Sequence, residues 1–124
     1  MIFGLGTDII KVDRFEKMVA KGRRYLKTIF TESEMNYCES KTRKSEHYAA
    51  RFAAKEAVLK ALGMGWRDGF TFSEIEILND KLGKPMVFLH GKVEDYFQKQ
   101  KLKQITISLS HSKENAIAVA ILEN

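Results

Sequence analysis

The stretch from 45 to 63 limits this chain's fold most. Ser45 can open a helix, and Gly63 stands where a left-handed C-terminal cap belongs. Ala49, Phe52, Ala53, Leu59 and Leu62 recur at helical spacing, so the pattern predicts one helix of about five turns. The small alanines around them let another element approach that helix closely. With 124 residues in all, the chain has the size of one domain, 1–124.

The first half reads as one strand followed by helices. Residues 2–12 form a strand in which Gly4 and Gly6 permit close backbone approach. Asp13 is placed to cap a helix through about Lys21, with Phe15, Met18 and Val19 inward. A helical turn through Tyr25, Leu26 and Ile29 follows. Thr31-Glu32-Ser33-Glu34 fits a capping box, opening a helix from Glu32 to about Ser40. Beyond Gly63, strands dominate: 73–78 with Ile75 and Ile77 inward, and 84–89. An amphipathic helix over 92–101 carries Val93, Tyr96 and Phe97. Residues 104–110 alternate, with Ile105, Ile107 and Leu109 opposite Thr106, Ser108 and Ser110. After a turn at 112–115, the nearly wholly apolar strand 116–122 belongs at a sheet's centre. The expected class is α+β, an antiparallel sheet packed against the long helix.

Composition narrows the setting. Hydrophobic residues at 44% and 13 aromatics suffice for a packed core and exclude disorder. No apolar run approaches the roughly 18–20 residues of a membrane span. The N-terminus lacks a basic region and meets Asp8 early, so no secretory leader is expected. The lone Cys38 excludes an internal disulfide and a cysteine-based zinc site, and points to the cytoplasm. The net charge is +5, and all of it lies in residues 1–60, which hold 13 basic and 8 acidic side chains. The densest part runs from Lys11 to Lys27. Such a field recruits a polyanion, whether nucleic acid, membrane, phosphorylated small molecule or acidic protein, or it is a solvated helical face. The strands lack an aromatic ribonucleoprotein motif and the basic helices lack interleaved aromatics, so nucleic acid is not the expected partner.

Three positions could carry chemistry. Asp8, flanked by apolar residues, is either a turn carboxylate or a hard-metal ligand awaiting substrate phosphate oxygens. On the long helix, Glu56 and Lys60 are spaced i, i+4, beside a parallel row of Arg51 and Lys55. This is either a plain helix pair worth ~0.3–0.5 kcal/mol or a carboxylate among cations suited to Mg²⁺ and pyrophosphate. His111 ends a polar strand face in Ser108-Leu109-Ser110-His111-Ser112, as a surface residue or a donor to phosphate; His47 and His90 lack comparable polar company. The chain has no Gly-x-Ser-x-Gly elbow, Walker loop, Gly-x-Gly-x-x-Gly or His-Glu-x-x-His.

Four motifs combine into a resemblance. They are Gly6-Thr7-Asp8-Ile9, Arg51-Phe52-Ala53-Ala54-Lys55-Glu56-Ala57 with Lys60-Ala61-Leu62-Gly63, Gly83-Lys84-Pro85, and Ser108-Leu109-Ser110-His111-Ser112. In that order and spacing the chain is similar, over residues 2–122, to the holo-[acyl-carrier-protein] synthases, the short bacterial class of 4′-phosphopantetheinyl transferases. Met64 departs from the small hydroxyl residue common there.

The resemblance implies Mg²⁺-dependent transfer of 4′-phosphopantetheine from coenzyme A to a serine of an acidic acyl carrier protein. Adenosine 3′,5′-bisphosphate is released, in support of fatty acid biosynthesis. It implies that Asp8 and Glu56 bind the metal. Lys60 contacts the transferring phosphate or helps the serine proton leave, with Glu56 as the rival base. Arg51, Lys84 and His111 lie near the coenzyme A phosphates, and Gly63–Gly65 and Pro85 beside the adenosine. Trp66 covers a loop or stacks on adenine. Lys55 joins Arg51 and Lys60 around the pyrophosphate. Arg14, Lys17, Lys21 and Arg24, with Met18 as an apolar contact, face the carrier. A homotrimer with active sites between subunits is also implied, without nucleic acid or membrane partners.

Overall fold

The computed structural model describes residues 1–65 and 68–124. Helix α4 (Lys44–Leu62) is its axis, and Gly63 caps it in the left-handed conformation at φ 75°. The alanine positions are almost completely buried, as are Phe52, Val58, Leu59 and Leu62. A helix buried on so many sides needs cover from several elements.

Three antiparallel strands supply most of it. Strands β1 (Ile2–Lys11), β4 (Gln104–His111) and β5 (Asn115–Glu123) form a sheet in the order β1-β5-β4. The apolar β5 is central, as its sequence predicts. Its residues Ala116, Ala118, Ala120 and Leu122 are buried. In β1, Gly4 and Gly6 lie against α4. A methyl group at Gly4 would stand 1.9 Å from the Ala61 carbonyl oxygen, and one at Gly6 would stand 1.9 Å from that of Ala57. Strand and helix therefore touch backbone to backbone, which glycine opposite alanine permits. The sheet's other face is apolar and open: Leu5 and Ile9 are each 65% exposed and Ile117 is 43% exposed. They pair across the register as Leu5↔Ile121 and Ile9↔Ile117.

Strands β2 (Ile75–Asn79) and β3 (Pro85–Leu89) make a separate antiparallel hairpin. Helices α1 (Val12–Lys21), α2 (Arg23–Leu26) and α3 (Glu32–Glu39) connect β1 to α4, and α5 (Gly91–Lys99) connects β3 to β4. An aromatic cluster ties these parts together. Phe15 meets Phe52 at 5.4 Å between ring centroids, Phe30 meets Tyr48 at 4.9 Å, and Phe52 meets Phe72 at 5.1 Å. Cys38 is buried in this layer, and burial pushes its thiol up to about 12.

Two local expectations change. Asp13 does not cap α1; it sits in the first turn, and Lys11 is the N-cap residue. Strand runs directly into helix there, because the Val12 N–H is taken by the Glu114 carbonyl at 2.9 Å. The strand expected over 73–78 starts only at Ile75. A reciprocal Thr71–Glu74 capping box first winds Phe72–Glu74 into a 3-10 turn. The Thr31–Glu34 box forms as predicted. Among the described residues, no helix is long and apolar enough to cross a membrane.

Overpacking typically costs about 1–3 kcal/mol, and at Gly6 the added methyl meets backbone that cannot rotate away. Gly6→Ala is expected to lose at least about 2 kcal/mol in urea unfolding. Gly65→Ala, where a methyl would meet nothing within 4 Å, is expected to stay within about 0.5 kcal/mol of the parent.

Candidate active site

Alternation along β1 turns Gly4, Gly6, Asp8 and Ile10 toward α4. Because the two glycines bring the strand onto the helix, Asp8 comes down beside the turn that carries Glu56 and Lys60. The Lys60 ammonium donates to Asp8 Oδ1 and to the Thr7 carbonyl, both at 3.0 Å. The other Asp8 oxygen, Oδ2, is buried without a hydrogen-bond partner among the described residues. Burial first, and then the charge of Asp8, push the Glu56 carboxyl above its usual range, while Lys60 and Arg14 pull it down.

An orphaned carboxylate oxygen beside a second carboxylate that resists ionisation fits a hard dication. Among the described residues, no group of three or more His, Cys, Asp or Glu could hold a metal ion. A metal here would take two carboxylates and leave its remaining positions to water and substrate oxygens.

A second cleft, of about 250 Å³, gathers Arg51, Pro85 and His111 with Tyr37, His47 and Asn79. Arg51 is 2% exposed. Its guanidinium lies 4.0 Å from the Tyr37 ring centroid, Nη2 donates to Asn79 Oδ1, and Nε is buried without a partner among the described residues. His111 Nδ1 lies 2.9 Å from Glu46 Oε1. The His47 ring meets His111 edge-on at 4.9 Å and Tyr37 at 5.8 Å. Burial, then the charges of His111 and Arg51, hold His47 below the usual imidazole range.

The reading that His90 lacks polar company is overturned by Glu76 Oε1, 3.0 Å from its Nε2, and the same reading of His47 by the His111 and Tyr37 rings. The legible signal for His47 was its i, i+4 spacing from Arg51, which puts both on one helix face. Lys84 is exposed between Gly83 and Pro85 in the β2–β3 turn. Gly63 caps the Lys60 end of α4. Trp66 lies outside the described residues.

These two clusters do not meet within one chain. Glu46, which holds His111, precedes Glu56 by ten residues on α4, about 15 Å along the axis. Arg51 and Glu56 point roughly 140° apart around it.

The basic residues of α1 also assemble. Arg14, Lys17 and Lys21 surround Met18 and Tyr25 in a cleft of about 330 Å³. Arg14, Lys17, Met18 and Lys21 stand at i, i+3, i+4 and i+7 and so share one helix face. Arg14 sits 5.0 Å from the Phe52 ring centroid, and Lys21 sits 5.6 Å from that of Tyr25. Arg24 is exposed on α2. Tyr25 is an addition that the sequence reading had placed only in a helical turn.

Lys55 requires a correction. Rather than facing a pyrophosphate, it is fully buried and pairs with Glu34 at 2.7 Å. It also donates to the Ile75 carbonyl at 2.6 Å and the Phe72 carbonyl at 3.1 Å. Glu34 in turn accepts from the Thr31 and Ile77 N–H groups, each at 2.8 Å. Burial pushes the Lys55 ammonium below its usual range and Glu34 opposes that shift. Every polar atom of this pair serves to join α3, α4 and β2.

Comparison with known proteins places this geometry in a lineage. Residues 4–120 match the 4′-phosphopantetheinyl transferase superfamily. The holo-[acyl-carrier-protein] synthase of Geobacter sulfurreducens is 48% identical over 124 residues, covering 99% of this chain and 98% of its own. The crystal structure of the Neisseria meningitidis holo-[acyl-carrier-protein] synthase superposes with a TM-score of 0.89 at 32% identity, covering 100% of both chains. A Bacillus anthracis holo-(acyl-carrier-protein) synthase in complex with CoA (3′,5′-ADP) gives a TM-score of 0.81 at 39% identity, covering 100% of this chain and 98% of that one.

Removing one partner of a buried ion pair strands the other. Lys55→Ala is expected to cost about 3–5 kcal/mol in urea unfolding. The double variant Glu34→Gln with Lys55→Met is expected to be more stable than Lys55→Ala alone. A double variant that is less stable would refute this account of the pair.

Proposed function

The chain belongs to the 4′-phosphopantetheinyl transferase superfamily, and we propose that it moves 4′-phosphopantetheine from coenzyme A to a serine of apo acyl carrier protein. The observation that carries this is the convergence of Asp8, Glu56 and Lys60, with one Asp8 oxygen unsatisfied. Asp8 and Glu56 are the residues that would hold Mg²⁺. When bound, the ion supplies charge neutralisation at the pyrophosphate.

The chain's own groups then divide the work. Lys60 donates to an oxygen of the transferring phosphoryl group. The serine oxygen bonds to phosphorus as the bond to the departing adenosine 3′,5′-bisphosphate breaks. The serine proton passes to Glu56, a carboxylate of the same cluster that can accept it. Arg51 and His111 take phosphate oxygens at the nucleotide end, with Lys84 beside them and Pro85 and Gly63 against the adenosine.

The separation of the two clusters supports a site shared between subunits, with His111 and Arg51 serving a neighbour's Asp8 and Glu56. The open apolar face of Leu5, Ile9 and Ile117 is suited to bury itself in a homotrimer. The basic α1 cleft suits an acidic carrier, with charge setting encounter rate and partner choice. A cytoplasmic role in fatty acid biosynthesis follows from this activity.

Three outcomes test the reading. Incubated with coenzyme A, Mg²⁺ and apo carrier, the protein should raise the carrier's mass by one phosphopantetheine, and EDTA or Glu56→Ala should abolish the gain. Mixing Glu56→Ala chains with His111→Ala chains, after dissociation and reassembly, should restore part of the activity that each lacks. Arg14→Glu should raise KM for the carrier while leaving KM for coenzyme A nearly unchanged; equal losses would sink that division.

A further inference from the structure

Arg51 and His111 reach one cleft from α4 and β4, and each is held from behind. We propose that Glu46 and Asn79 are positioning residues for nucleotide binding: Glu46 sets the His111 ring and Asn79 sets the Arg51 guanidinium. The proposal rests on the reading that this cleft takes the nucleotide end of coenzyme A.

Glu46 is 6% exposed and meets His111 at Nδ1. A carboxylate can only accept, so Nδ1 carries the hydrogen and Nε2 is the nitrogen left for a ligand. A ring that carries hydrogen on both nitrogens keeps Nδ1–H on Glu46 and offers Nε2–H to a phosphate oxygen. His47, edge-on at 4.9 Å, limits how far the ring can swing.

Asn79 has both ends of its amide engaged. Oδ1 accepts from Arg51 Nη2, and Nδ2 donates to the Gly83 carbonyl at 2.8 Å. The turn behind it is itself closed. The Asp80 N–H donates to the Lys84 carbonyl at 2.9 Å, and the Gly83 N–H to the Asp80 carbonyl at 3.0 Å, with Gly83 at φ 89°. The Gly83-Lys84-Pro85 motif thus acts on Arg51 through backbone and Asn79. With one face of the guanidinium on Tyr37 and Nη2 on Asn79, the buried and unpartnered Nε remains for an anion.

The test titrates adenosine 3′,5′-bisphosphate into the Mg²⁺-supplied protein by calorimetry and measures carrier modification at varied coenzyme A. Glu46→Ala and Asn79→Ala should each weaken bisphosphate binding and raise KM for coenzyme A roughly tenfold. Their kcat should move less than about twofold. Glu46→Gln, which keeps an acceptor for Nδ1–H, should fall between parent and Glu46→Ala. Parental binding and KM in the folded variants, or a loss confined to kcat, overturns the proposal. If Glu46→Ala does not fold, Glu46→Gln and Asn79→Ala decide the matter. An unsubstituted chain that neither binds the bisphosphate nor modifies a carrier overturns the underlying reading, a failure distinct from the first.

Discussion

The contact on which the rest of this structure depends is the backbone approach of β1 to α4 at Gly4 and Gly6. A single methyl there would overlap a helix carbonyl. Because strand and helix lie so close, the inward residue that follows the glycines is pressed against the turn bearing Glu56 and Lys60. The carboxylate pair is thus a by-product of packing: two glycines and an alanine face fix the separation at which Asp8 must sit. Lys60 answers one Asp8 oxygen, and the fold leaves the other unanswered. Stability and chemistry pull in opposite directions here, since burial and Asp8 both disfavour the Glu56 charge.

The other side of α4 is fixed differently. Charged groups, not glycines, anchor the helix to α3 and the β2–β3 hairpin, through Glu34 and Lys55. Such a pair contributes little net stability against an apolar substitute, but it tolerates few alternative arrangements. Three of its four hydrogen bonds with backbone fall at Phe72, Ile75 and Ile77, around the start of β2, and β2 ends at Asn79 beside Arg51. A pair outside that cleft therefore helps to set where Arg51 and its cleft lie relative to the hairpin.

The features legible in the sequence were those decided locally. Thr31 and Glu34 are three residues apart and close their box without help, and Gly63 declares the helix end by itself. The central place of β5 follows from its apolar run. What escaped was decided across distance. Lys55 on a helix looks the same whether it faces solvent or a Glu 21 residues earlier. His47 acquires its company only when β4 delivers His111. Asp13 failed as a cap because the helix already begins at Val12, whose N–H is held by the Glu114 carbonyl far along the chain. The motifs that carry the family resemblance pointed to Asp8, Glu56 and Lys60 correctly as neighbours, yet spacing alone could not show that Arg51 and His111 stand apart from them.

Cys38 has a practical consequence. It is the chain's only cysteine, it is buried, and its thiol is held at about 12, so the reactive thiolate is scarce while the molecule is closed. A thiol reagent at neutral pH would therefore act as a stopwatch: each labelled molecule records one excursion in which the layer between α3 and α4 came apart. The protein carries its own single-site clock for opening, with no engineered probe required.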